Sequence, residues 1–87
     1  MKRLIEVPEA EAGFEAALHK PVLLMCSNYF YYGKLVGVNE ASLELADPEI
    51  VYLTGEWKNA PKWEDSQKLP VDVLNVQIRA IESWATF

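Results

Sequence analysis

A strand-like stretch with two glycines in its middle limits the possible folds of this chain more than any other feature. Residues 29–45 read YFYYGKLVGVNEASLEL, in which four aromatic residues precede Gly33 and Gly37, and a turn and a regular alternation follow. Glycine usually weakens a strand, and inside one it often marks a bulge or a tight bend. We therefore expect this strand to bend sharply around a very small barrel.

Size and composition are those of one small globular domain. The 87 residues, 51% of them hydrophobic, can build a single modest core, so we expect one domain over residues 1–87. The net charge of −5 argues against binding of duplex nucleic acid through phosphate neutralisation, which usually needs a basic surplus.

The sequence predicts a cytoplasmic location. The N-terminus shows no signal-peptide pattern, and no apolar run approaches the length of a membrane span, so we expect no membrane partner. The lone Cys26 cannot form an internal disulfide, which fits a reducing compartment.

The order of elements is one helix followed by five strands. Residues 8–20 read as a short N-terminal α-helix, because Pro8 suits a first turn and Pro21 ends the pattern. Strands follow within residues 22–55, where the second strand bends and Asp47–Pro48 interrupts or kinks the third. Residues 56–70 are polar and without a period, which predicts a variable surface loop, and residues 71–87 supply the last strands.

Five short, bent antiparallel strands must curl into a small open barrel or remain an unprotected sheet. An open barrel leaves unpaired strand edges, and such edges pair readily with another chain. Self-association is therefore expected from the pattern alone.

The segment GKLVGVNEASLELADPEIVY resembles the first motif of the Sm-like family, which includes the LSm proteins and bacterial Hfq. The matching positions are Tyr31, Gly33, Leu35, Gly37, Asn39, Leu43, Leu45 and Asp47. The segment QIRAIESW, with Ile78 and Arg79, resembles the second motif. The chain departs from the family pattern where Asn39 replaces the usual Asp, Ala41–Ser42 replaces Met-Asn and Ala80 replaces Gly.

This resemblance implies an Sm-like small open barrel in which Gly33 relieves crowding at the bend and Leu35, Leu43 and Leu45 fill the interior. It also implies a homo-oligomeric ring, closed by head-to-tail pairing of edge strands, of about five to seven subunits.

The resemblance further implies RNA-binding residues on two loops at the pore. Asn39 and Ser42 would lie on the turn after the second strand and hydrogen-bond a base. Arg79 would lie on the opposing loop and stack on a base or pair with phosphate. The alternatives are that Asn39 only forms the turn, and that Arg79 only forms a salt bridge, for instance with Glu82 of its own or another chain.

The long loop carries the one basic and aromatic cluster of the sequence. Lys58, Lys62 and Trp63 are possible accessory RNA contacts, because interleaved basic and aromatic side chains suit single strands. Nearby acidic residues favour the other interpretation, in which the loop packs on the barrel or on a partner subunit.

No pattern in the sequence indicates catalysis, a cofactor or a metal site. One histidine and one cysteine do not make a metal site, and neither a nucleophile–base pair nor a Gly-rich phosphate loop is apparent. The leading hypothesis is therefore a non-enzymatic ring that binds short single-stranded RNA near its pore. The alternatives are a ring-forming structural or adaptor protein without RNA binding, and an SH3-like module that recognises peptides through aromatic residues.

Overall fold

The computed structural model describes residues 13–87, which fold into one bent antiparallel sheet. Its strands are β1 (Pro21–Cys26), β2 (Phe30–Val38), β3 (Ser42–Leu53), β4 (Asp65–Lys68), β5 (Val73–Gln77) and β6 (Ile81–Thr86). Short 3-10 helices span Gly13–Ala17, Trp57–Asn59 and Ile78–Ala80. The mainly β fold class predicted from the sequence is confirmed.

The strand order is β4-β3-β2-β1-β6, and β5 also pairs with β3. The long strand β3 therefore has two partners on one side. Its first half, residues 42–46, pairs with β5, and its second half, residues 49–53, pairs with β4. The segment β5 is the fourth strand that the sequence predicts, and β4 is an additional segment laid along the same side of β3.

The gap between these two segments lies opposite the kink in β3. Asp47 adopts a left-handed φ of 54°, and its N–H donates to the carbonyl of Asp72 at 3.1 Å. The N–H of Leu69 donates to the carbonyl of Pro48 at 2.9 Å. Backbone hydrogen bonds therefore continue across the gap, and the predicted kink at Asp47–Pro48 is present within a continuous β3.

Gly33 lies where β2 crosses β3 at close range. A Cβ at this position would lie 3.0 Å from the carbonyl oxygen of Ala46 and 3.2 Å from Cβ of Leu45. The register of the β2–β3 pair shifts between Tyr32 and Lys34, as expected for a bulge at the bend. The predicted role of Gly33, relief of crowding at a sharp bend, is confirmed.

The barrel interior is filled by aliphatic side chains. Leu35, Leu43 and Leu45 are fully buried, as predicted, because alternate residues of a strand point to the same face. The cluster around them is completed by Ala17, Val22, Leu24, Cys26 and Val76.

The N-terminal helix differs from the prediction in the part that can be compared. Residues 8–12 lie outside the described residues. From Gly13 the chain forms one short 3-10 helix that ends at Ala17, rather than an α-helix that continues to Lys20. Residues 19 and 20 instead hydrogen-bond to the backbone of Leu35, at 2.6 and 3.0 Å. Pairing with β2 therefore takes the place of the last helical turn.

The predicted loop over residues 56–70 is wrong for Asp65–Lys68, which form β4. Side-chain contacts with β3, which the local sequence does not reveal, hold this strand in place. Lys68 lies 3.2 Å from Asp47 Oδ2 and 3.8 Å from Glu49 Oε1, and the Ser66 hydroxyl donates to the Glu49 carboxylate.

Two edges of the sheet stay open within residues 13–87, because β4 and β5 each pair with β3 alone and β6 pairs with β1 alone. Over the same range, no group of three or more His, Cys, Asp or Glu side chains is arranged to hold a metal ion. None of the helices in this part of the chain has the length and apolarity to cross a membrane.

Candidate nucleic-acid interface

Two turns from distant parts of the sequence lie side by side at one end of the barrel. The first is the β2–β3 turn, and the second is the 3-10 helix between β5 and β6. Ser42 pairs with Gln77 across the β3–β5 ladder, and the N–H of Ile78 donates to the carbonyl of Ala41 at 2.9 Å. We call residues 39–42 and 77–79 together the turn cluster.

Asn39 builds the first of these turns. Its Oδ1 accepts hydrogen bonds from the N–H groups of Ala41 at 2.7 Å and Ser42 at 2.8 Å. Its own N–H donates to the carbonyl of Ser42 at 3.0 Å. An Asp side chain at this position would supply the same acceptor. Asn39 therefore forms the same turn with a neutral amide in place of a charged carboxylate. The amide N–H groups are then the part of the side chain left for a ligand.

Arg79 lies at the rim of a shallow depression in the turn cluster. The depression has a volume of about 450 Å³ and is lined by Glu40, Ala41, Gln77, Ile78 and Arg79. Arg79 is exposed, and within residues 13–87 it forms no salt bridge with Glu82 or any other carboxylate. Its guanidinium group is therefore not occupied by its own chain in the described range.

The structure brings together the three residues that the sequence predicts as RNA-binding, Asn39, Ser42 and Arg79. Of these three, Arg79 lines the depression, and its other polar members, Glu40 and Gln77, were not predicted from the sequence. One signal was available in the sequence, namely position: Glu40 directly follows Asn39, and Gln77 is the first residue of the segment QIRAIESW. Their part in the depression depends on the β3–β5 register, which no local pattern reveals.

Two of the three accessory residues line a different depression. Trp63 and Lys62 line it with Gly55, Glu56, Asn59 and Glu64, and its volume is about 430 Å³. Lys58 lies 3.3 Å from the Glu56 carboxylate. The structure does not join these residues to the turn cluster, and their contact with RNA stays a prediction.

Trp63 belongs to a group of rings that we call the aromatic cluster: Tyr32, Trp57, Trp63 and Phe87. Ring centroids are 5.4 Å apart for Tyr32 and Trp63, 5.9 Å for Trp63 and Phe87, and 6.3 Å for Trp57 and Trp63. The rings meet edge to face, the arrangement that aromatic quadrupoles favour. Nε1 of Trp63 is buried with no hydrogen-bond partner in the described part of the chain. The loop thus packs on the barrel, as one of the two interpretations expected.

Titratable groups with shifted pKa values lie on β1 and β2. Burial raises the pKa of the Tyr32 hydroxyl, and the Glu49 carboxylate raises it further. Burial likewise raises the pKa of the Tyr31 hydroxyl and that of the Cys26 thiol. The Glu82 carboxylate raises the pKa of Cys26 further. These groups therefore stay protonated, and hence neutral, to higher pH than they would in an unfolded chain.

Comparison with solved structures identifies the fold. The chain is similar to the Sm protein of Pyrococcus abyssii solved in complex with a uridine heptamer, with a TM-score of 0.63 and 15% sequence identity. The match covers 94% of this chain and 100% of that one. No protein-family model matches the sequence, and no curated protein matches it. The chain therefore has an Sm-like fold, as the resemblance of its glycine-containing strand predicts.

Proposed function

We propose that the chain assembles into a ring of its own copies and binds short single-stranded RNA at the turn cluster. The observation that carries this proposal is the juxtaposition of the turn that carries Asn39 with the 3-10 helix that carries Arg79, which the Ile78–Ala41 backbone hydrogen bond joins. It occurs on the fold of a protein whose solved structure contains a uridine heptamer.

The open edges of β5 and β6 support ring assembly. Val71, just before the start of β5, is 47% exposed, and Val73, the first residue of β5, is 43% exposed. By contrast, β4 on the same edge carries Asp65 and Lys68, and charged side chains discourage pairing at an edge. Pairing β5 of one copy with β6 of the next is a heterologous contact that closes by rotation, and we propose about five to seven copies.

The chemistry of the turn cluster supports RNA binding. The Asn39 amide can donate to a base carbonyl, and Ser42 can donate or accept. The planar guanidinium of Arg79 can stack on a base or pair with a phosphate. A ring would repeat this set around its pore, so that successive nucleotides of one strand meet equivalent sites.

A ring-forming adaptor without RNA binding is the second candidate. The observation that favours it is charge: the chain carries a net charge of −5, and Glu40 lines the same depression as Arg79. Phosphate attraction at the turn cluster is correspondingly reduced.

Two measurements test the proposal. Light scattering coupled to gel filtration should give the mass of a ring of identical subunits, and a stable monomer at high concentration would contradict assembly. Fluorescence anisotropy with short oligo-uridine and oligo-adenine, repeated over a salt series, should then show binding that weakens as salt rises. A ring that binds neither RNA at low salt would favour the adaptor.

A further inference from the structure

We propose that the turn cluster selects guanine over uracil, through Glu40 acting with Arg79. This inference rests on the proposed RNA binding and adds a base preference to it. Both side chains line one depression of about 450 Å³, a size within the roughly 300–1,000 Å³ of small-ligand sites. A volume of this size can accommodate a purine base against the surface that carries both side chains.

The two charges remain available to a ligand. Within residues 13–87, neither Glu40 nor Arg79 forms a salt bridge. Both residues are exposed, and Glu40 follows Asn39 in a turn whose backbone is fixed by the two hydrogen bonds to Asn39 Oδ1. Because the turn is held by Asn39, the Glu40 carboxylate is not needed to maintain it.

The hydrogen-bonding groups of guanine match this pair of charges. Its Watson–Crick edge presents two adjacent donors, N1–H and the N2 amino group, and the two oxygens of a carboxylate accept both. O6 and N7 of guanine accept two hydrogen bonds from one arginine guanidinium. A guanine held this way would leave neither charge unpaired.

Uracil matches the same pair poorly. It offers one donor, N3–H, between two carbonyl oxygens, and a carboxylate facing those oxygens is repelled and left without a second donor. Cytosine stands between the two bases, because its N4 amino group can donate to Glu40 while O2 and N3 accept from Arg79. The expected order of affinity is guanine, then cytosine, then uracil.

Gln77 is the remaining polar side chain of the depression and can hydrogen-bond to guanine or to uracil. Its amide carries both donors and an acceptor, so it can adapt to the groups that Glu40 and Arg79 leave free. Discrimination is therefore assigned to Glu40, which can only accept while it is ionised.

The test measures the affinity of labelled RNA of alternating uridine and guanosine against oligo-uridine of equal length, by fluorescence anisotropy. The alternating sequence avoids runs of guanosine, which associate with one another. The wild-type protein should bind the guanosine-containing RNA about tenfold more tightly, the scale of one bidentate contact.

The variant Glu40→Gln should lose most of this preference, because a neutral amide can serve uracil as well as guanine. The matched control is Glu15→Gln, which removes the same charge from an exposed residue of the first 3-10 helix. The control should keep the wild-type preference. Loss of preference in Glu40→Gln but not in Glu15→Gln supports the assignment.

Three other results would overturn it. Equal or tighter binding of oligo-uridine by the wild type refutes guanine selection while it leaves RNA binding in place. A preference that survives in Glu40→Gln refutes the role of Glu40. Absence of binding to all of these RNAs at low salt refutes the base preference together with the proposed function.

Discussion

The turn cluster and the aromatic cluster adjoin depressions of similar volume, about 450 and about 430 Å³, yet they differ in what satisfies their side chains. In the turn cluster the backbone and Asn39 Oδ1 make the hydrogen bonds, and Glu40 and Arg79 form no salt bridge within residues 13–87. In the aromatic cluster the rings contact one another.

Because of this difference, we interpret the turn cluster as a surface suited to ligand binding and the aromatic cluster as a part that stabilises the fold. Functional groups that the chain leaves unused remain free to meet a ligand, whereas rings that already pack together contribute chiefly to stability. Changes in the aromatic cluster should therefore alter the free energy of unfolding, and changes in the turn cluster should alter affinity for RNA. The following predictions test this division.

Truncation of the central ring of the aromatic cluster should have the largest effect on stability. Trp63→Ala removes three ring contacts, and we expect the free energy of unfolding to fall by about 3 kcal/mol. Urea denaturation followed by circular dichroism measures it. The matched variant Trp63→Phe keeps a ring and removes the unpartnered buried Nε1–H, so it should lie close to the wild type. A fully stable Trp63→Ala protein would show that the cluster does not support the fold.

A methyl group at the bend should have the next largest effect. Gly33→Ala places a Cβ 3.0 Å from the backbone oxygen of Ala46, which cannot move without shifting β3, and we expect a loss of about 1–3 kcal/mol. Gly37→Ala is the control, because its nearest clash, at 2.5 Å, is with Oε1 at the end of the Glu44 side chain. A flexible carboxylate can move away, so the cost should be smaller. Equal losses in the two variants would contradict this account of the bend.

Alkaline pH should have the smallest effect, and Tyr32 should be one of the groups that contribute to it. Unfolded tyrosine loses its proton near about pH 10, and burial together with Glu49 raises the pKa of Tyr32 in the folded chain. The unfolded state therefore ionises first as pH rises. The stability contributed by this shift is complete below about pH 10 and is lost as pH rises through the higher folded pKa.

Urea denaturation at a series of alkaline pH values measures this effect. Tyr32→Phe keeps the ring and removes the ionisable group, so its midpoint should fall less steeply above about pH 10 than that of the wild type. Identical slopes for the two proteins would exclude Tyr32 as a source of alkaline instability.

The bend could be predicted from the sequence because its cause is local. Gly33 interrupts a run of residues with strong strand preference, and a glycine in such a run often marks a bulge or a tight bend. Burial of Leu43 and Leu45 could be predicted for a similar reason, since a period of two places them on one face. The order β1–β2–β3 follows from the short connections between these strands, whereas the pairing of β1 with β6 joins residues distant in sequence and has no local signal.

The strand β4 could not be predicted, because its cause is not local. The residues Asp-Ser-Gln-Lys show neither alternation nor strand preference. They extend because Ser66 and Lys68 meet the side chains of Glu49 and Asp47 on β3. The same limit applies to Glu40 and Gln77, whose place in the depression is set by the β3–β5 pairing.

The central claim is that Arg79 contacts single-stranded RNA while the fold and assembly do not depend on it. The most direct test is the affinity of Arg79→Ala for short uridine- or adenine-rich RNA, by fluorescence anisotropy. Lys34→Ala serves as a control that removes an equal charge from an exposed position of β2. We predict at least about a tenfold loss for Arg79→Ala, with an unchanged mass by light scattering, and a much smaller loss for Lys34→Ala. Unchanged affinity in Arg79→Ala would contradict the claim.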